Sequence, residues 1–337
     1  DGRKYYDGMR REKTDPIALI DYCAEYCYTP QEALSKKGQN TFDQVRIVEQ
    51  YTEITILGKG KKVKRGRLFP IYGDRSSKIV GARWQDDPTG SIYMTEEPIH
   101  DNTNQVVKNL YVAGIDSIDI GASETADDRD RGSKFSIVVK KRQFGLGGNE
   151  YVCMYLGRPQ DVRHAYETAL LILMHYNCQA NLEETKIGFR TYLRERGLDN
   201  RFLMKRPQYA LTDNNRNRKQ SLWGTPGSER NIRHGLELIS TYIIDYCQNI
   251  FFKEMLLQLR DYDYEFKRKY DIIASMIMCE IADEELYNKP AIENPTSLKD
   301  TWSDFGYYRD NNGVKHFGVI PKRKTINHKA GGVWIEK

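Results

Sequence analysis

The chain has 337 residues, of which 39% are hydrophobic and 29% are charged, and it carries a net charge of +5 at pH 7. This length suits two domains or one large domain with extensions, and the composition is typical of a soluble globular protein. The sequence contains no run of about 18 apolar residues and no charged-then-apolar leader, so we expect neither a membrane span nor a signal peptide. Asp1 in place of an initiator Met indicates a fragment or a processed product.

The six cysteines form no Cys-x-x-Cys pair, and no zinc-ligand spacing surrounds them. Most of them lie in apolar stretches, as reduced core cysteines do. We therefore expect a reducing compartment.

The N-terminal third changes from helical to strand-like patterns. Residues 1 to about 55 are predicted to be helical with a break, including a helix across Asp43 to Tyr51, and short strands and turns follow to about His100. The cluster of cations after Gly58 has two equally good interpretations, a phosphate-binding segment and a solvated hairpin. Its members are Lys59, Lys61, Lys62, Lys64, Arg65 and Arg67. The stretch GKGKKVKRG is not a Walker A loop, because it lacks the Gly-Lys-Ser/Thr ending.

The central strand is predicted from Leu110 to Ile115, a short apolar run rich in β-forming residues. Asp116 follows it directly, and Asp119 comes three residues later. A carboxylate at the end of a buried strand is costly to desolvate unless a cation or hydrogen bonds compensate it. On this stretch alone, an Asp that caps a turn is an equally good explanation.

Further strands and helices follow in an order that defines the fold class. Lys134 to Arg142 and Tyr151 to Leu156 are predicted to form an antiparallel meander with the central strand. The next elements are a helix over Pro159 to Tyr176, a strand over Cys178 to Glu184, a helix over Ile187 to Gly197 and a short strand over Arg201 to Met204. This order of strands and helices predicts an α/β fold with a mixed sheet.

The segment from Lys205 to His234 is polar and basic, with seven Lys or Arg residues against two acids. Long loops in compact domains are usually functional or disordered, so we favour a loop that faces nucleic acid over a solvated surface loop. Helices are predicted across Ile232 to Leu259, with a second one starting near Phe251, and across Lys267 to Glu285. The tail from Asn288 shows no periodicity and is expected to be an extended arm.

Three acids lie at the ends of predicted elements: Asp116, Glu183 and Asp271. They would converge if the first and fourth strands were neighbours and the last helix crossed them. Converging carboxylates repel one another and need cations, and Mg²⁺ prefers such oxygen ligands. Because side chains alternate along a strand, only one of Glu183 and Glu184 can face the metals. We expect the strand to end at Glu184, which leaves Glu183 facing Asp116 and turns Glu184 toward solvent.

Several motifs together resemble one protein family. They are YVAGIDSIDIG followed by GSKFSIVVKKR, then ANLEETKIG and KYDIIASMIMCEIADEE, with YTPQEALSKKGQNTFDQ before them and WGTPGSERN between the last two. They resemble the acidic motifs and flanking segments of the large terminase subunit of tailed bacteriophages, over roughly Tyr28 to Leu286. The wording TKIG is most similar to crAss-like phages. Many relatives have two Asp residues at the last motif, whereas Tyr270 precedes Asp271 here.

The resemblance implies an α/β fold, with a ribonuclease H-like mixed sheet flanked by helices over residues 106–290. Residues 1–105 would be the end of the motor region with a helical and β linker, and residues 291–337 a C-terminal tail. The full ATPase is not expected in this chain, because no GxxxxGK[ST] motif is present.

The resemblance also implies an activity. The chain would be a metal-dependent endonuclease that cuts double-stranded concatemeric viral DNA during genome packaging, with two Mg²⁺ or Mn²⁺ ions. Asp116, Glu183 and Asp271 would be the catalytic metal ligands, with Asp119 as a further ligand. DNA contacts are predicted for Lys59, Lys61, Lys62, Lys64, Arg65, Arg216, Arg218 and Lys219. The implied partners are DNA, the portal protein and the small terminase subunit, in the host cytoplasm and transiently at the procapsid portal.

Two other functions stay open at this stage. In the first, the acids are structural and the basic segments make the chain a non-catalytic DNA-binding module. In the second, the chain is another ribonuclease H-like enzyme, such as a resolvase or a transposase. Three acids at element ends are more than capping requires, and the segment YTPQEAL with Phe42-Asp43 fits a terminase better than a resolvase.

Overall fold

The structure is a computed structural model in which helices and strands alternate much as the sequence predicts. It describes residues 2–13, 19, 22–23, 25–29, 32, 40–73, 78–118, 134–143, 147–208, 223–287, 305–309, 315–319, 329–330 and 333–334. The helices are α1 (Gly2–Glu12), α2 (Gln44–Thr55), α3 (Val162–Tyr176), α4 (Gly188–Glu195), α5 (Asp199–Phe202), α6 (Glu229–Tyr246), α7 (Lys253–Asp261) and α8 (Asp271–Glu285). The strands are β1 (Lys64–Tyr72), β2 (Ile79–Asp86), β3 (Ile92–Met94), β4 (Tyr111–Asp116), β5 (Phe135–Lys141), β6 (Glu150–Gly157), β7 (Gln179–Leu182), β8 (Phe305–Arg309), β9 (Lys315–Val319), β10 (Lys329–Ala330) and β11 (Val333–Trp334).

The chain divides into two compact units, Asp1–His100 with Val106–Ile292 and Asp101–Gln105 with Glu293–Lys337. The first unit contains a seven-stranded sheet in the order β2-β1-β3-β6-β5-β4-β7. In the second unit β8 pairs with β9 and β10 with β11, both antiparallel. The tail therefore contains paired strands where the sequence predicts an extended arm.

The strand order confirms the predicted ribonuclease H-like mixed sheet. β4, β5 and β6 form the antiparallel meander, and β7 returns after α3 to pair in parallel with β4. β1 to β3, from the predicted linker region, extend the same sheet through the pairing of β3 with β6. The domain limits predicted from the sequence stay a prediction.

Alternate residues of the central strands enter two separate cores, one on each face of the sheet. Ala113 and Ile115 of β4 pack in the core beneath α3, whereas Val112 packs in the core formed with α6, α7 and α8. β4 is buried along its whole length, which explains why it reads as a continuous apolar run rather than an alternating one. Burial of a side chain the size of Val112 or Ile115 contributes about 1.5–3 kcal/mol.

Some predicted elements differ from the structure. The strand predicted over Arg201 to Met204 is wrong, because α5 occupies its first half and only Leu203 bridges to Ala180 of β7. α8 begins at Asp271 rather than Lys267, after a turn of 3₁₀ helix over Tyr264–Lys269.

Three further findings bear on the N-terminal helices, the cysteines and the possibility of a membrane span. In the helical region predicted for residues 1 to about 55, α1 and α2 are observed, and most of residues 14–39 lie outside the described residues. All six cysteines are free thiols. Within the described ranges, no helix combines the length and apolar character needed to cross a bilayer.

Candidate active site

Helix α8 crosses the central strands at very close range. A Cβ atom at Gly114 of β4 would collide with the carbonyl oxygen of Ser275, so only glycine permits this approach. The hydroxyl groups of Ser275 and Ser136 of β5 are 2.8 Å apart, and the side-chain amide of Asn181 of β7 donates to the Met278 carbonyl at 3.0 Å. These contacts fix α8 across β5, β4 and β7, with its first turn at the carboxyl ends of β4 and β7.

The alternation of side chains brings two strand-end acids to this face of the sheet. Asp116 lies two residues after Gly114, and Glu183 lies two residues after Asn181, so both share the side of the sheet that α8 covers. Leu182, between Asn181 and Glu183, packs in the opposite core. The expectation that Glu183 and not Glu184 faces Asp116 agrees with this register.

Glu184 points away from Asp116 and is held in an ion pair. β7 ends at Leu182, but Glu183 still bridges to Thr225, and the backbone N–H of Glu184 donates to the Thr225 carbonyl at 2.9 Å. The Glu184 carboxylate contacts the guanidinium of Arg206, whose side chain is 7% exposed. The expectation that Glu184 turns toward solvent is therefore corrected, because a largely buried arginine binds it.

Asp116, Glu183 and Asp271 line one cavity of about 550 Å³ at the start of α8. Asp116 is 5% and Asp271 is 7% exposed, whereas Glu183 is more accessible. Lys186 and Lys267 also line this cavity. The three acids that the sequence predicts to converge thus lie on one cavity, contributed by β4, by the residue after β7 and by α8.

Lys186 is the cation that meets these acids. Its ammonium contacts the Asp116 carboxylate and lies 3.5 Å from an oxygen of Glu183. Lys186 is placed there by the turn after β7, in which its backbone N–H donates to the Glu183 carbonyl at 3.2 Å. The same ammonium therefore pairs with two carboxylates, one at the end of β4 and one just after β7.

The electrostatics of the cavity favour protonation of Asp116 and Asp271. Burial raises the pKa of Asp116 to about 7; Lys186 opposes this shift, and the charges of Asp271 and Glu183 add to it. Burial also raises the pKa of Asp271, against a hydrogen bond from the Lys134 backbone. Burial lowers the pKa of Lys186, but Asp116 and Glu183 outweigh it, so that pKa is raised. The negative charge of these acids is therefore only partly compensated by the cations nearby.

The donor chemistry of the cavity suits a hard divalent cation. Carboxylate oxygens are the ligands that Mg²⁺ and Mn²⁺ prefer, and the mutual repulsion of these acids would be relieved by such an ion. Among the described residues, no three His, Cys, Asp or Glu side chains are arranged to hold one ion together. The ammonium of Lys186 instead lies at ion-pair distance from Asp116 and Glu183.

Sequence reasoning missed several residues of this cavity. The hydroxyl of Tyr262 is buried in the cavity wall and has no hydrogen-bond partner among the described residues. A Cβ atom at Gly227 would collide with the Glu183 carboxylate. The Glu-x-x-Lys spacing of Glu183 and Lys186 was visible in the sequence, but the same spacing occurs at many exposed turns. Tyr262 and Gly227 gave no signal, since they reach the acids only through the fold.

The basic segments predicted to bind DNA are described only in part. Most cations between Lys59 and Arg67 pair with nearby acids: Lys59 with Glu53, Lys61 with Glu96 and Glu150, Lys64 with Glu97, and Arg67 with Asp87. Their predicted role in DNA binding stays a prediction, as does that of Lys62 and Arg65. Asp119, Arg216, Arg218 and Lys219 lie outside the described residues.

Comparison with known proteins gives a remote structural likeness. No family model matches the chain, and no curated protein matches it. The fold is similar to that in the crystal structure of the large terminase nuclease from thermophilic phage G20c with bound zinc. The two share 12% sequence identity with a TM-score of 0.36, over 57% of this chain and 88% of the other. A likeness this remote does not assign a function.

Proposed function

We propose that this chain is a metal-dependent endonuclease of the large terminase type, which cuts double-stranded DNA during viral genome packaging. The observation that carries the proposal is the meeting of Asp116, Glu183 and Asp271 on one cavity from three separate elements. Turn capping does not explain why acids from three elements line the same cavity, with two of them almost fully buried. The terminase motifs of the sequence coincide with the elements that carry these acids.

Asp116, Glu183 and Asp271 would hold the metal ions, two Mg²⁺ or Mn²⁺ in the proposal. When bound, such ions activate water and stabilise the leaving oxygen of a phosphodiester. The remaining tasks fall to the protein. Gly227 leaves room for the Glu183 carboxylate, and the hydrogen bond from Thr185 at 2.7 Å orients that carboxylate.

A further group on the cavity wall suits a phosphate. Lys267 supplies a positive charge there. Its ammonium would bind a phosphodiester, which carries acceptor oxygens and a negative charge. A contact to the phosphate does not read the bases, so binding through Lys267 would be sequence-independent.

The basic segment from Lys205 to His234 is the DNA-binding part of this proposal. Its described ends lie beside the site: Lys205 bridges to Trp223, and Thr225 bridges to Glu183. Arg216, Arg218 and Lys219 belong to the same segment and would contact phosphates. The portal protein, the small terminase subunit and a position at the procapsid portal in the host cytoplasm complete the proposal, together with a crAss-like phage origin.

The test is metal-dependent nicking of supercoiled plasmid by the full chain. We expect nicking with Mg²⁺ or Mn²⁺, and its loss in folded Asp116→Asn, Glu183→Gln and Asp271→Asn variants. Glu184→Gln is the matched control and should keep most of the activity, because Glu184 faces Arg206. DNA binding by the wild-type chain without any nicking would contradict the proposal and would favour a non-catalytic binding module.

A further inference from the structure

Lys186 lies against two of the acids that the proposal assigns to the metal ions. Its ammonium contacts Asp116 and lies 3.5 Å from Glu183, so it binds the same oxygens that would ligate a metal ion. Its side chain is 28% exposed and belongs to a short turn, so it can leave the carboxylates without unpacking the core.

A monovalent ammonium and a divalent ion cannot use these oxygens equally. A cation placed among the carboxylates would lie within a few ångströms of the Lys186 ammonium, and like charges at that range repel strongly in a partly buried site. The ammonium also donates hydrogen bonds to oxygens that the metal requires as ligands. Either Lys186 moves, or the metal binds with fewer ligands.

We propose that Lys186 competes with the metal ion: its ammonium pairs with Asp116 and Glu183 in the metal-free protein and is displaced when a divalent cation binds. The inference rests on the proposed nuclease function, since it presumes a metal at these carboxylates. A higher concentration of metal ion is then needed to fill the site, because part of the free energy of metal binding is offset by the loss of the ion pair. The same ion pair stabilises the metal-free fold.

Calorimetric titration of Mn²⁺ into the full chain tests this inference directly. Removal of the ammonium in Lys186→Met should tighten Mn²⁺ binding by about tenfold, which corresponds to ~1.4 kcal/mol. Lys186→Arg keeps the charge and should bind Mn²⁺ as the wild type does. Lys267→Met measures the effect of charge alone, because Lys267 lines the same cavity but has no ion pair with these acids among the described residues, and it should tighten Mn²⁺ binding less than Lys186→Met does.

Thermal unfolding gives a second readout that needs no activity. In EDTA, Lys186→Met should melt below the wild type, and saturating Mn²⁺ should raise its melting temperature by more than it raises that of the wild type. Lys186→Gln provides a polar neutral substitution in case the methionine variant does not fold.

The outcomes separate this inference from the function on which it rests. Equal Mn²⁺ affinities in the wild type and in both neutral variants, with binding abolished by Asp116→Asn, would overturn the competitor role and leave the nuclease proposal standing. Absence of Mn²⁺ binding in every variant would overturn the metal site itself, and the competition with it. Tighter binding in the neutral variants alone supports the inference.

Discussion

The two ends of α8 each meet a cluster of charged side chains from the sheet, and the two clusters are balanced differently. At the C-terminal end, Glu280 and Asp283 face Lys140 and Arg142 with distances of 2.6 to 2.9 Å. At the N-terminal end, Asp116 and Glu183 share the ammonium of Lys186. Asp271, the third acid there, has no ion pair among the described residues.

The titration of Asp283 reflects this difference, whereas that of Glu280 does not. Burial raises the pKa of Asp283, but Lys140 and Arg142 outweigh it, and that pKa lies below its usual value. The more deeply buried Glu280 keeps a raised pKa, because burial outweighs the opposing charge of Lys140. Burial raises the pKa of Asp271 and that of Asp116, and the cations nearby do not compensate. Two acids with two cations make a network that anchors a helix. An excess of acid instead marks a place where a further cation is needed.

The largest expected effect comes from breaking the balanced cluster. Lys140→Met leaves the buried Glu280 carboxylate and Asp283 without their shared ammonium, and should lower the free energy of unfolding by about 3–5 kcal/mol. Urea unfolding measures this loss. The double variant with Glu280→Gln should recover part of the loss, and a simple sum of the two single effects would show that the cluster is not a network.

The second effect concerns pH and the acid-rich end. In EDTA, the raised pKa of Asp116, about 7, means that the folded state binds more protons than the unfolded state between pH 4 and 7. The stability contributed by the protonated Asp116 is present below about pH 4 and is lost as the pH rises through about 7. Asp116→Asn should remove this loss, on the order of 2–4 kcal/mol, from the pH profile of unfolding.

Stability measurements at several pH values on both proteins check this expectation. Parallel profiles for the wild type and Asp116→Asn would show that burial does not raise the pKa of Asp116. Saturating Mn²⁺ should flatten the wild-type profile, since a bound cation favours the ionised carboxylate.

A smaller effect isolates geometry from charge. Gly227→Ala should push the Glu183 carboxylate aside, and should weaken Mn²⁺ binding by about tenfold while the free energy of unfolding changes by less than about 0.5 kcal/mol. Gly114→Ala is the contrasting variant, because its methyl group meets the backbone of α8 and should destabilise the fold itself. Equal losses of stability in both variants would contradict this distinction.

The smallest expected effect concerns the basic segments, and it is measured in the salt dependence of DNA binding. Lys61 is balanced by Glu96 and Glu150, so Lys61→Met should leave the salt dependence of DNA binding nearly unchanged. Neutralising Arg216, Arg218 and Lys219 together should reduce the log–log slope by about 0.9 for each DNA phosphate that the protein no longer neutralises. Fluorescence anisotropy across a salt series measures both slopes. An unchanged slope in the triple variant would show that this segment does not face DNA.

Local patterns in the sequence were enough to predict the meander, α3 and the late helices. The apolar run before Asp116 and the periodic stripe after Asp271 depend only on neighbouring residues. With β7 as the parallel neighbour of β4, these elements place the acids on one face. Strand alternation then decides between Glu183 and Glu184.

Pairings between distant segments were beyond the sequence. Arg206 meets Glu184 because Thr225 pairs beside the end of β7, and Lys186 reaches Asp116 because β7 lies next to β4. The helix at Asp199–Phe202 was missed since four residues carry no helical period. Such contacts follow from the assembled sheet and not from any short stretch of chain.

The central claim is that the acid-rich end of α8 binds a divalent cation and the balanced end does not. Calorimetric titration of Mn²⁺ into the wild type, Asp116→Asn and Glu280→Gln tests it most directly. We expect binding in the wild type, equal binding in Glu280→Gln and none in Asp116→Asn. Binding that survives in Asp116→Asn, or that disappears in a folded Glu280→Gln, would contradict the claim.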